Sequence, residues 1–153
     1  MMQWLEASAE RAEELFAACP GYFQRLHGHP YGAEDVRDLL LEKPVGVEEK
    51  QVWMAVLESR TIGVVEFLRD YPQSGTIYIG LLMVREDLQR QGLGGELYRH
   101  LEAASQGRHF RLAVLEGNAP ALAFWGRMGF VETGEVRPYR DHRAILMEKS
   151  VAL

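Results

Sequence analysis

The chain has 153 residues, 47% of them hydrophobic and 25% charged, with one cysteine and a formal net charge of −5. A chain of this length is expected to form one domain, here taken as residues 1–153, and to bury roughly two-thirds of its unfolded surface. No apolar run approaches the roughly 18 residues of a membrane span, the acidic balance argues against general nucleic-acid binding through clustered Lys and Arg, and a lone Cys19 excludes an internal disulfide framework.

The N-terminus lacks a basic start followed by a long apolar stretch, and a lone cysteine suits a reducing compartment, so a cytoplasmic location is expected. Ser8 precedes a stretch in which Leu5, Ala9, Ala12, Leu15 and Phe16 recur at helical spacing. Residues 20–32, PGYFQRLHGHPYG, carry Gly and Pro punctuation and read as loop. A second short helix is predicted over 33–41, stopping before Pro44.

Gln51 to Glu58 and Thr61 to Arg69 are rich in Val, Ile, Phe and Trp, and the tight Ser59-Arg60 connection makes them a hairpin. After turn residues 71–75, Thr76 to Val84 (TIYIGLLMV) is too apolar for a wet face and is expected to be buried on both sides. Gly80 within it marks a bulge, a common reason for glycine inside a strand. A helix is predicted from Gly92 to about Gln106, then a buried strand from Phe110 to Leu115. Asn118 caps a further helix, with Pro120 in its first turn, that ends near Met128-Gly129. Val131 to Pro138 and Arg143 to Lys149 close the chain as paired strands. This order of elements gives a mixed α/β sheet covered by helices.

The segment Gln89-Arg90-Gln91-Gly92-Leu93-Gly94-Gly95 follows the buried strand and opens a helix. Physically it is an anion site: unpaired amides of a helix N-terminus point outward, and glycines admit a phosphate close to the backbone. Each charge–dipole contact contributes about 0.3–1 kcal/mol, and a charge-assisted bond from Arg90 about 1.5–3 kcal/mol. There is no Gly-Lys-Ser/Thr, and the third glycine of a dinucleotide fingerprint is missing. Taken alone, the loop is also compatible with a helix start whose glycines serve only the turn.

Residues 89–94 resemble the Gln/Arg-x-x-Gly-x-Gly/Ala motif of the GNAT family of N-acetyltransferases, and Asn118-x-x-Ala121-x-x-Phe124-Trp125-x-x-x-Gly129-Phe130 resembles a second motif of that family. The two stand in the family's order, separated by a strand, and the resemblance covers about Gly63 to Lys149. It implies a mixed, mostly antiparallel sheet of six or seven strands with a splayed central parallel pair and helices on both faces. It also implies transfer of acetyl from acetyl-CoA to a primary amine, by direct attack in a ternary complex and without a metal. The acceptor is then an amine of a small molecule or a protein, and edge pairing of terminal strands allows a homodimer.

Carried over residue by residue, the resemblance puts cofactor pantetheine against Leu82, Met83 and Val84. It puts pyrophosphate on Gln89 to Gly95, chiefly on the amides of Gln91, Gly92, Leu93, Gly94 and Gly95. Asn118 matches the residue that reaches the pantetheine arm, besides capping its helix. Phe124 packs along the cofactor or in the core. Arg127 meets the adenosine phosphates or lies on a solvated helix face.

Trp125 departs from the family, in which many members carry a Tyr proposed to reprotonate the departing CoA thiolate; an indole N–H does not titrate usefully. Tyr139 is the candidate substitute, ahead of Tyr78. Deprotonating a lysine-like amine at pH 7 costs roughly 4–5 kcal/mol, which a carboxylate base offsets. Glu66, interrupting the apolar run GVVEFL, is the first candidate, unless it faces solvent or pairs with Arg69 or Arg60; Glu116 is the second. His27-Gly28-His29 lacks partners at ligand spacing and reads as loop. The alternative to an enzyme is a non-catalytic acyl-CoA-binding sensor of the same fold, which Trp125 favours.

Overall fold

The computed structural model describes residues 2–152. Among these the chain runs β1 (Gln3–Glu6), α1 (Ala9–Ala17), α2 (Pro20–His27), α3 (Ala33–Leu41), β2 (Lys50–Leu57), β3 (Arg60–Arg69), β4 (Thr76–Val84), a 3₁₀ turn (Glu86–Leu88), α4 (Leu93–Ser105), β5 (His109–Leu115), α5 (Ala119–Arg127), β6 (Val131–Tyr139) and β7 (His142–Ser150). The strands form one seven-stranded sheet in the order β1-β2-β3-β4-β5-β7-β6. Its pairs are antiparallel except β4 with β5. This is the mixed sheet with a central parallel pair expected from the sequence.

Two apolar layers cover the sheet. Ala12, Leu15, Phe16, Phe23, Val36 and Leu39 of α1–α3 pack on Val52, Met54, Val64 and Met83. Leu97, Tyr98 and Leu101 of α4, with Trp125 and Phe130, pack on the opposite side chains of the same strands, among them Ala55, Val65, Phe67, Ile77 and Ile79. The period-2 alternation of strands feeds both layers at once, which is why β3 reads as an almost unbroken apolar run.

Several boundaries match the sequence closely. Ser8 caps α1 by accepting from the Arg11 amide, α3 covers 33–41, and β4 covers 76–84. The β2–β3 turn lies one residue earlier than expected, on Glu58 and Ser59, whose φ values of 50° and 67° suit a tight hairpin. Gly80 is the bulge: Glu66 faces Leu81 and Phe67 faces Ile79, so residue 80 has no opposite number on β3.

Three expectations need correction. Leu5 is not on the first helix but on β1, a four-residue edge strand with a largely exposed pattern; its backbone pairing with β2, not any hydrophobic alternation, makes it a strand. Residues 20–27 are helix, not loop. Pro20 occupies the first helical turn and Gly28, at φ 80°, ends the helix in the left-handed region, so the punctuation brackets a helix. Finally, β4 is not enclosed along its whole length: Gly80 is exposed and Leu81 and Leu82 are half-buried where β5 leaves its side, while Met83 and Val84 beyond them are buried again.

Candidate active site

β4 and β5 are hydrogen-bonded from Thr76–His109 to Ile79–Leu112, and among the described residues no later pair joins them. From there β5 follows β7 as far as Leu115–Ala144, while β4 stays with β3 to Val84–Gly63. The two parallel strands therefore open like a V, leaving the β5-facing edge of Leu81 to Val84 without a strand partner. Unpaired backbone groups at a strand edge bind an extended ligand by ladder-like hydrogen bonds.

The mouth of the V is built from both sequence motifs. A β-carbon added to Gly94 would lie 3.1 Å from Phe124 Cε1 and 3.9 Å from Leu82 Cδ2. Glycine at 94 thus keeps open a narrow gap between β4, the start of α4, and α5. Leu82 is half-buried there, while Met83 and Val84 are buried. The Phe124 ring also meets that of Trp125, 4.9 Å away and tilted 76°, so Phe124 serves both the gap and the core.

The loop preceding α4 is shaped by its backbone. Gln89 Nε2 donates to the Val84 carbonyl at 2.9 Å, tying the loop to the end of β4. Arg90 (φ 67°) and Gly92 (φ 81°) both adopt left-handed conformations, and Gly92 is the residue at the helix N-cap. Space is open around Gly92, so conformation, not crowding, calls for glycine there. Arg90, Gln91 and Gly92 are exposed. Glu96 makes the first intrahelical bond, to Gly92 at 3.1 Å, which leaves the amides of Leu93, Gly94 and Gly95 as the open donors of the first turn. Arg99, which the sequence reading passed over, folds back so that Nη1 and Nη2 lie 3.2 Å from the β-carbon position of Gly95. Its signal was the spacing of four residues from Gly95, which puts the two on one helix face.

Asn118 is exposed and caps α5, Oδ1 accepting from Ala121 N at 3.2 Å. Arg127 is exposed in the last turn of α5, where a cation suits the helix C-terminus.

On the α1–α3 side of the sheet Glu66 lies opposite the bulge. Its Oε1 is 3.4 Å from Lys50 Nζ, with side chains 18% and 4% exposed respectively. The ion-pair partners considered from sequence are engaged elsewhere: Arg69 donates to Ser105 O at 3.0 Å, and Arg60 pairs with Asp87 at 3.1 Å. Burial pushes the Glu66 carboxyl above its ordinary range, and the Lys50 ammonium opposes that without cancelling it. Burial also pushes the Tyr22 phenol up to about 12, with Tyr139 and then Glu66 adding to the effect. The Tyr22 phenol of α2 thus feels the charges of Tyr139, at the end of β6, and of Glu66 on β3.

Tyr139 is 44% exposed, with the Arg140 guanidinium 5.6 Å from its ring centroid. Tyr78 is half-buried, and its phenol is also raised by burial. Glu116 is exposed on the turn after β5, 3.8 Å from Arg143, and no polar contact joins it to Glu66. Trp125, 8% exposed, meets Tyr98 and Phe130 edge-on at 5.7 and 5.2 Å. His27 stacks on His29 and contacts Asp35 at 3.2 Å. Among the described residues no three His, Cys, Asp or Glu side chains cluster to hold a metal, and no helix is long and apolar enough to cross a membrane.

The sequence profile described as the acetyltransferase (GNAT) family matches residues 7–130. No curated protein matches the chain in sequence. Solved structures match it in shape. An acetyltransferase from Thermus thermophilus superposes with a TM-score of 0.79 at 22% identity, over 99% of this chain and 97% of its own. The ribosomal-protein-S18-alanine N-acetyltransferase of Escherichia coli gives 0.72 at 19% identity, over 100% and 96%. A Bacillus subtilis acetyltransferase in complex with CoA gives 0.66 at 17% identity, over 99% and 98%.

Proposed function

The chain belongs to the acetyltransferase (GNAT) family, and on that premise we propose that residues 1–153 act as one domain that moves the acetyl group of acetyl-CoA to a primary amine. The carrying observation is the parting of β4 from β5 beyond Ile79 and Leu112, with Leu82, Gly94 and Phe124 converging at its mouth. A narrow cleft with an unpaired strand edge, next to open amides at the start of α4, fits a pantetheine arm joined to a pyrophosphate. The gap that a β-carbon at residue 94 would fill supports the same fit.

Acetyl-CoA supplies the acetyl group as a thioester; the amine attacks its carbonyl directly, the C–N bond forms and the C–S bond breaks. Leu82, Met83 and Val84 hold the pantetheine through the β4 backbone. Arg90 and the amides from Gln91 to Gly95 hold the pyrophosphate, Gln89 anchors the loop, and Arg99 and Arg127 supply further positive charge. Asn118, its Oδ1 engaged in the cap, has an amide NH₂ left to donate to the pantetheine. Glu66 takes the proton that the amine loses, and Tyr139 returns one to the departing thiolate. Glu116, in an exposed ion pair, is the weaker base. The acceptor is an amine of a small molecule or a protein; the E. coli neighbour, named for a protein alanine, keeps the second class in view. Self-pairing through an edge strand, β1 or β6, would make a homodimer.

The test is calorimetric titration of the purified protein with acetyl-CoA, followed by thiol release across amino acids, polyamines, aminoglycosides and peptide N-termini. Binding with turnover of one class is expected, and Glu66→Gln should lower kcat by about 10²-fold or more with acetyl-CoA affinity unchanged. Absence of binding rejects the reading. Binding without turnover on any amine selects the second reading, a non-catalytic acyl-CoA sensor, which is favoured by Trp125 packing in the core where many family members carry a titrating Tyr.

A further inference from the structure

Lys50 opens β2, and its Nζ is ringed by three oxygens: the Asp38 carbonyl at 2.7 Å, the Glu42 carbonyl at 2.6 Å and Glu66 Oε1 at 3.4 Å. The two carbonyls lie at the C-terminal end of α3, where a cation complements the helix dipole. Capping alone leaves a lysine free to keep its ammonium in water. This side chain is instead only 4% exposed, and a withdrawn ammonium needs a counter-charge. Glu66 is the carboxylate that meets it.

The same contact decides where Glu66 stands. Its Oε1 also lies against Gly80, 2.6 Å from where a β-carbon would be, so one oxygen is held between the ammonium and the bulge of β4. The groups facing Glu66 are Lys50 from β2, Glu42 from beyond α3 and Tyr22 from α2. Val52 of β2 and Leu81 of β4, opposite it in the sheet, carry no charge. Burial and Glu42 favour the protonated acid, and Lys50 is the cation that opposes them.

We propose that Lys50 is a positioning residue for the transfer reaction: it ties Glu66 to the C-terminal end of α3, fixes the carboxylate beside the Gly80 bulge and keeps it ionised to receive the amine's proton. This rests on the reading of Glu66 as the base. Lys50 lies on the α1–α3 side, away from the phosphate loop, so it acts on proton transfer and not on acetyl-CoA affinity.

The experiment labels the protein with [¹³C]glutamate and follows the Glu66 carboxyl resonance, assigned by its loss in Glu66→Gln, as pH is varied. In Lys50→Met the midpoint should rise by about one pH unit, and the acidic limb of kcat, on an amine from the panel above, should move with it. Lys50→Arg should restore both. Lys50→Gln still donates to the carbonyls of α3 but carries no charge; it should shift the midpoint as Met does, which helix capping alone would not produce. Thermal unfolding of each variant confirms a folded state, and calorimetry should show unchanged acetyl-CoA affinity. A midpoint that stays put in both Met and Gln variants overturns the proposal, as does a midpoint that moves without the acidic limb. Failure of the underlying reading looks different: Glu66→Gln then turns over like the wild type, or acetyl-CoA does not bind.

Discussion

The carboxylate of Glu66 occupies the space that a side chain on Gly80 would need, its Oε1 2.6 Å from the β-carbon position. The bulge therefore does two things. It lets β4 bend away from β5, and it makes room on β3's neighbour for an acid.

Gly80→Ala should displace the acid more than it strains the chain. Gly80 does not have a left-handed φ, so alanine costs little in backbone terms, while Lys50 limits how far Glu66 can retreat. A fall in kcat of about tenfold to a hundredfold is expected, with a melting temperature close to wild type. Combined with Glu66→Gln, the Gly80→Ala penalty should largely disappear, since the two act through one group.

Glu66 also leaves a signature in stability against pH. Its carboxyl is raised above the ordinary value of 4.5, so between that value and the raised one the folded state holds a proton that the unfolded chain has lost. Stability then falls as pH rises through that window. Denaturant midpoints of the wild type should decline relative to those of Glu66→Gln as pH climbs from about 4.5 toward neutrality. A constant difference would mean that Glu66 titrates normally.

At the loop, conformation and charge separate cleanly. Gly92 has open space but a φ of 81°, so Gly92→Ala should cost about 1–2 kcal/mol of stability and change acetyl-CoA affinity only a few-fold. Gly92→Glu adds a like charge beside the proposed pyrophosphate site and should weaken binding by about tenfold or more, equivalent to about 1.4 kcal/mol. Calorimetry on both variants distinguishes the two effects.

Asn118 can be divided in the same way. Its oxygen accepts from Ala121 N, and only its NH₂ is available to donate. Asn118→Asp should keep the cap and the melting temperature while weakening acetyl-CoA binding. Asn118→Ala should lose both, the cap contributing about 1 kcal/mol.

Trp125 packs among Tyr98, Phe124 and Phe130, and Tyr139 stands at the exposed end of β6. Trp125→Phe should therefore cost about 1–3 kcal/mol of stability and leave kcat within a few-fold of wild type. Tyr139→Phe should lower kcat about tenfold or more. If Tyr139→Phe turns over like the wild type, water or another group protonates the thiolate.

The sequence by itself determined those features whose cause is local. The apolar run of β4 and its Gly80, the helix start after Ser8, the cap at Asn118 and the glycines opening α4 each depend on a few neighbouring residues, and each is legible there. The loop proposed for the pyrophosphate is likewise readable as a motif, because such a loop is a run of consecutive backbone amides. The tertiary structure alone decided the rest. β1 carries no alternation of its own and is a strand only because β2 pairs with it. α2 was hidden because the Gly and Pro at its ends resemble loop punctuation until Phe23 is seen packed against Phe16, with ring centroids 4.8 Å apart. The pair proposed for proton transfer is most dependent of all: Lys50 and Glu66 are 16 residues apart. Sheet register and helix docking bring them within 3.4 Å, and a charge's partner, unlike its spacing, is set by the fold.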